Sequence, residues 1–122
     1  MKIETTSRED YLKAILVLSR KYNPVRSIDL ASYLGFSRPS ISRAVSLLES
    51  EGYITVQNHG LYLTEKGKKT AEETYDKFCF FAETLISIGV SPKTAKEDAC
   101  RLEHAISNES FDKIKMNLIK KK

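Results

Sequence analysis

The chain has 122 residues, of which 30% are charged and 41% hydrophobic, and its formal charge is +4. That length suits one domain with at most a small helical subdomain, and no apolar run of about 20 residues offers a membrane span. Met1 to Asp10 lack a signal-peptide core, which predicts a cytoplasmic protein, and Cys79 and Cys100 are too few and too far apart for a disulfide framework or a zinc ribbon.

The first predicted element is a helix from about Arg8 to Arg20, opened by a capping-box-like Ser7 and Asp10 and carrying Tyr11, Leu12, Ile15, Leu16 and Leu18 towards a core. Asn23-Pro24 reads as the connecting turn. Ile28, Leu30, Ala31 and Leu34 put a second helix on one apolar face, and Gly35 supplies the freedom that a tight turn needs. Ser37 then caps a third helix with Pro39 in its first turn. Ile41, Ala44, Val45 and Leu48 face inward, leaving Arg38, Ser40, Ser42 and Arg43 on the outer side near the amino end, where recognition helices meet DNA. Gly52 stops the helix.

Tyr53 to Gln57 and Leu61 to Leu63 are short β-rich runs joined by Asn58, His59 and Gly60, a hairpin signal. Together these elements predict a winged helix-turn-helix. A long helix starts near Thr64 and runs to Gly89 with Tyr75, Phe78, Phe80 and Phe81 on several faces, more apolar surface than the winged unit alone covers. Ser91-Pro92 restarts a helix to about Ser107, and Ser110 to Ile119 forms a last amphipathic one; these later helices suit a dimer interface. The expected fold is mainly α, with a winged helix-turn-helix over 1–70 and a helical dimerisation and metal-binding domain over 71–122. Basic residues outnumber acidic ones by eight to six up to Leu63 and by twelve to ten beyond, so charge alone locates no polyanion site, and Lys120, Lys121 and Lys122 read as a solvated end.

Cys100, Glu103 and His104 stand at i, i+3 and i+4, where a thiol, a carboxylate and an imidazole share a helical face. Such a mixed set suits a borderline transition ion better than Ca²⁺ or Mg²⁺, although a buried Cys beside a hydrogen-bonded Glu and His shows the same residues without one.

Glu9-Asp-Tyr-Leu-Lys-Ala-Ile, the winged motif, Leu63-Thr-Glu-Lys-Gly and Asp98-Ala-Cys-Arg-Leu-Glu-His-Ala-Ile-Ser together resemble the diphtheria toxin repressor family of metal-dependent repressors, over essentially the whole chain. The short chain, ending before any third domain, is similar to the manganese-type members. The resemblance implies a homodimer that binds a pseudo-palindromic double-stranded DNA operator when Fe²⁺ or Mn²⁺ is bound. It also carries the primary site over to Asp10, Cys100, Glu103 and His104, with Asp10 as the ligand from the first helix. By resemblance and position, Ser37, Arg38, Pro39, Ser40, Ser42 and Arg43 face DNA, and Asn58 and His59 approach it from the wing tip.

This chain also departs from the family pattern. Phe78, Ala82, Lys96 and Lys13 fall where the family places further ligands, so one site is expected and an ancillary one is not. Two other readings stay open: a regulator of this fold that has lost metal sensing, and a winged-helix module that binds protein. Ser37 is a helix cap in any case, Arg43 has glutamates on its own helix to pair with, and a polar hairpin turn explains Asn58 and His59 without DNA. With only His59 and His104, no nucleophile elbow and no phosphate-cradling loop, an enzyme is not expected.

Overall fold

The computed structural model describes residues 5–120, so Lys121 and Lys122 of the basic end lie outside the described residues. The elements run α1 (Thr5–Leu18), β1 (Val25–Arg26), α2 (Ser27–Leu34), α3 (Arg38–Ser50), β2 (Ile54–Gln57), β3 (Gly60–Leu63), α4 (Glu65–Ser87), α5 (Pro92–Ala105) and α6 (Asn108–Lys120). They divide into two compact units, 1–73 and 74–122, with the boundary inside α4. The fold is the expected one: mainly helical, with a helix-turn-helix and a small antiparallel sheet in the first unit and helices in the second.

In the first unit, α1, α2 and α3 close over one apolar core. Leu12, Ile15, Leu30, Ile41 and Leu48 are almost fully buried, joined by Val25, Ile54 and Leu61 from the sheet. Each such side chain contributes roughly 1.5–3 kcal/mol of transfer free energy. Ile28 was expected on this inner face but is exposed, because it stands about 160° around α2 from Leu30. The helix also starts earlier than Ser7, at Thr5, so Ser7 lies inside the first turn rather than before it.

The turn between α2 and α3 follows the sequence closely. Gly35 takes the left-handed conformation at φ 73°, its N–H bonding the carbonyl of Ala31 at 2.8 Å. Ser37 Oγ accepts the N–H of Ser40 at 3.3 Å and caps α3.

The sheet has the order β1-β3-β2, and all pairs are antiparallel. β1 was not expected, since it follows the Asn23-Pro24 turn with only two residues, too few to show a period; Val25 pairs with Leu61 and Arg26 with Gly60. Gly60, expected in the hairpin turn, is the first residue of β3 opposite Gln57, which leaves Asn58 and His59 as a two-residue loop. Both have positive φ, 48° and 67°, as a hairpin turn matched to strand twist requires. Tyr53, expected in the first strand, instead closes α3: its N–H reaches the carbonyl of Leu48 at 3.0 Å, and its own carbonyl accepts Thr64 N–H at 3.0 Å.

In the second unit, Phe80 meets Phe81 and Phe111 edge-to-face with ring centres 5.4 and 5.5 Å apart, and Phe81 lies tilted to Phe111 at 5.9 Å. The helix after Ser91 ends at Ala105 rather than Ser107, because Ile106 is extended and Ser107 Oγ accepts the N–H of Ser110 at 3.1 Å, which opens α6.

Thr64 anchors the start of α4. Its hydroxyl donates to the carbonyl of Gly52 at 2.7 Å and lies 3.1 Å from the N–H of Gly67, which donates to it. A methyl group added at Gly67 would run into the carbonyl of Tyr53. Glycine inside a helix ordinarily costs about 0.5–1 kcal/mol relative to alanine, so propensity favours Gly67→Ala, whereas the clash opposes it. We expect the clash to prevail and Gly67→Ala to destabilise the chain by about 1–3 kcal/mol in urea unfolding.

Candidate nucleic-acid interface and metal centre

The amino half of α3 presents an open polar face. Arg38, Pro39, Ser42 and Arg43 are exposed, and Ser40 is half-buried, its N–H and hydroxyl both meeting Ser37 with the two hydroxyls 3.0 Å apart. No acidic residue occupies the first turn, so the positive end of the helix dipole is uncompensated there. The glutamates at the carboxyl end of α3 are engaged away from Arg43. Glu49 Oε2 accepts the N–H of Val56 in the wing at 3.3 Å, and Glu51 Oε2 accepts Arg8 Nη2 at 3.2 Å. Two guanidinium groups and a helix amino end therefore stand together on an exposed surface, an arrangement suited to phosphate oxygens and base edges.

The wing tip, Asn58 and His59, is exposed at the end of the β2–β3 hairpin. Sequence reasoning missed Arg26, whose strand pairing sets it beside Gly60 at the base of that loop. A cation before a helix start was visible; its pairing with a residue far along the chain was not.

On α5, Ala95, Ala99 and Glu103 form a buried stripe at four-residue spacing, and the two small side chains leave little bulk ahead of the carboxylate. Glu103 is 1% exposed, and its Oε1 lies 3.3 Å from His104 Nε2. Cys100, one turn earlier, is exposed. Lys77 Nζ, itself buried, donates to the carbonyl of Ile106 at 3.2 Å, placing a cation at the carboxyl end of α5, where the helix dipole favours it.

The donor chemistry fits a transition ion. An ion with bonds of about 2.1 Å to nitrogen and oxygen holds neighbouring donor atoms about 3.0–3.4 Å apart, and the carboxylate–imidazole pair on α5 has that separation. Of the residues that the resemblance sets at further ligand positions, Phe78 stacks on Tyr75 with ring centres 6.4 Å apart, Ala82 is buried and has no donor, and Lys96 is exposed.

A winged helix-turn-helix with an open recognition helix, followed by a helical unit bearing a carboxylate–imidazole pair, defines the class of metal-responsive DNA-binding regulators. Residues 4–60 match the domain described as "Iron dependent repressor, N-terminal DNA binding domain", and residues 64–120 the "Iron dependent repressor, metal binding and dimerisation domain". The chain is 32% identical to the transcriptional regulator MntR of Escherichia coli O157:H7 over 109 residues, 88% of this chain and 70% of that protein. It is 34% identical to an HTH-type transcriptional regulator of Methanocaldococcus jannaschii over 113 residues, 90% of each.

Among solved structures, the metal-dependent transcriptional regulator MtsR superposes with a TM-score of 0.85 at 26% identity, covering 94% of this chain and 54% of that one. The manganese regulator SloR gives 0.74 at 29% identity, covering 88% and 52%. The chain thus spans about half the length of these two structures. It belongs to the iron-dependent repressor family, and it is a metal-dependent transcriptional regulator of that family and not an enzyme.

The cap of α3 is separable from any role at DNA. Ser37→Ala should cost about 1 kcal/mol of stability and Ser37→Gly only a few tenths, as read by thermal or urea unfolding without DNA.

Proposed function

We propose that this protein is a homodimeric repressor of metal-homeostasis genes that binds a pseudo-palindromic operator in the cytoplasm when one Fe²⁺ or Mn²⁺ ion is bound. The first unit reads DNA and the second dimerises and holds the ion. Asp10, Cys100, Glu103 and His104 are the ligands, and Ser37, Arg38, Pro39, Ser40, Ser42, Arg43, Asn58 and His59 are the DNA contacts.

The observation that carries this reading is the buried carboxylate of Glu103 lying 3.3 Å from His104 Nε2. Burying a carboxylate is expensive unless a cation or hydrogen bonds compensate, and this one lies in the stretch that matches the metal-binding domain. With Asp10, the proposed ligand from α1, the donors would become two carboxylates and an imidazole. Oxygen-rich donation of this kind favours Mn²⁺ and Fe²⁺, whereas bonding by the Cys100 thiolate moves preference towards softer ions. An ion shared between α1 and α5 would restrict the recognition helices of a dimer to the spacing of successive major grooves, which is how metal would act as corepressor.

The exposure of Cys100, with Phe78, Ala82 and Lys96 at family ligand positions, favours a second reading, a regulator of the same fold that binds DNA without metal. Selection of binding sites from a random duplex pool, with Mn²⁺ and separately with chelator, tests both. The first reading requires enrichment with Mn²⁺ only, and the second equal enrichment in both. Failure to enrich any duplex would instead indicate a protein-binding module.

On the selected duplex, His104→Ala should abolish the Mn²⁺ dependence while the chain stays folded in chelator, as read by circular dichroism. Replacing a base-reading arginine, Arg38 or Arg43, with alanine should lose about 1–3 kcal/mol of discrimination, roughly 5- to 150-fold, whereas loss of a phosphate contact lowers the salt dependence of binding across all sequences. Fluorescence anisotropy over a salt series separates the two roles.

A further inference from the structure

The carboxyl end of the recognition helix is tied to α1 by one ion pair between residues 43 apart in sequence, Arg8 Nη2 and Glu51 Oε2 at 3.2 Å. The two side chains are 19% and 30% exposed, so the pair is screened less than an ordinary surface bridge. Around it the contacts are dense. The Arg8 guanidinium lies 5.3 Å from the centre of the Tyr53 ring, Lys66 Nζ lies 4.3 Å from the same ring, and Lys66 Nζ also donates to the carbonyl of Glu51 at 2.9 Å. Glu51 caps α3, so both cations stand at the negative end of its dipole.

This pair is one bond short of the fork that a guanidinium and a carboxylate can make. Arg8 Nε and Glu51 Oε1 are both buried and make no hydrogen bond. Closing the fork requires Nε to meet Oε1, which a shift of α1 against Glu51 could bring about. Asp10 follows Arg8 by two residues, and on a helix this turns its side chain about 160° away from that of Arg8. The helix therefore stands between the proposed metal ligand and Glu51 as a stiff strut.

We propose that the Arg8–Glu51 pair relays metal binding to the recognition helix: an ion held at Asp10 shifts α1 and closes the fork, which fixes the carboxyl end of α3. Arg8 and Glu51 are then positioning residues that touch neither the ion nor DNA. The proposal rests on the metal-dependent reading above.

Its test is the ratio of DNA affinity in Mn²⁺ to that in chelator, measured on the full chain for wild type, Arg8→Gln, Glu51→Gln, the double variant and the exchanged pair Arg8→Glu with Glu51→Arg. Each single variant should reduce the ratio about tenfold, within the ordinary range of coupling between sites, while affinity in chelator stays at the wild-type value. The double variant should be no worse than either single, and the exchanged pair should recover part of the ratio.

A wild-type ratio in both single variants overturns the relay. So do losses that add in the double variant, or a parallel loss of affinity in chelator, since either marks independent structural or DNA contacts. Should a single variant fail to fold, as judged by circular dichroism, the exchanged pair decides alone: recovery of the ratio supports the relay and none overturns it. If wild type binds DNA equally with and without Mn²⁺, the functional reading itself falls and takes the relay with it; a large wild-type ratio left intact in the variants removes the relay only.

Discussion

The first unit depends on how the carboxyl end of α3 is closed. A helix leaves its last carbonyls without intrahelical partners, and here other parts of the chain satisfy them or settle against them. The N–H groups of Glu51, Gly52 and Tyr53 turn back onto the carbonyls of Leu47, Glu49 and Leu48, and Lys66 reaches the carbonyl of Glu51. Thr64 meets the carbonyls of Gly52 and Tyr53, and this contact starts α4. The end of the recognition helix, the entry to the wing and the origin of the long helix are therefore one hydrogen-bonded junction. Gly67 has no side chain because that junction lies against it.

This closure divides α3 electrostatically. Its carboxyl end collects Arg8 and Lys66, and both glutamates near that end are engaged, Glu49 with the wing and Glu51 with α1. At the amino end Arg38 and Arg43 stand on an exposed face without an acidic neighbour in the first turn. Glutamates near Arg43 in sequence would have neutralised it had they faced it. Because they are drawn to structural duties, the positive charge at the amino end is left available to a polyanion, although the chain as a whole carries only +4.

Where local chemistry decides, the sequence was legible. Ser37 with Pro39, the apolar set from Ile41 to Leu48, Gly35 and the wing residues Asn58 and His59 each carry a conformational preference within a few residues, and the structure follows them. The failures are those of distance and of length. Val25 and Arg26 pair with β3 across more than thirty residues, too short a strand to show alternation. Ile28 belonged to the apolar count of α2 but not to its buried arc. On the site side, Glu103 and His104 were legible as neighbours on a helix, yet the burial of the one and the exposure of Cys100 depend on packing that helical spacing does not encode. The Arg8–Glu51 pair spans 43 residues, and nothing near either residue announces it.

The residues at the expected ancillary positions bear on the proposed switch. A second ion nearby would add charge that its ligands must offset, and an aromatic ring, a methyl group and ammonium groups, as at Phe78, Ala82, Lys96 and Lys13, offer it no donor. Lys77 points the same way: a buried ammonium already lies at the carboxyl end of α5, holding the carbonyl of Ile106 two residues beyond His104. A fixed side-chain cation there opposes the dipole of α5 permanently, whereas an ion does so only when bound. The structural part of the electrostatic balance is thus supplied by lysine, independent of metal supply. The proposed ligands Asp10, Cys100, Glu103 and His104 are then the part that responds to metal, while Lys77 holds its end of α5 whether or not an ion is bound.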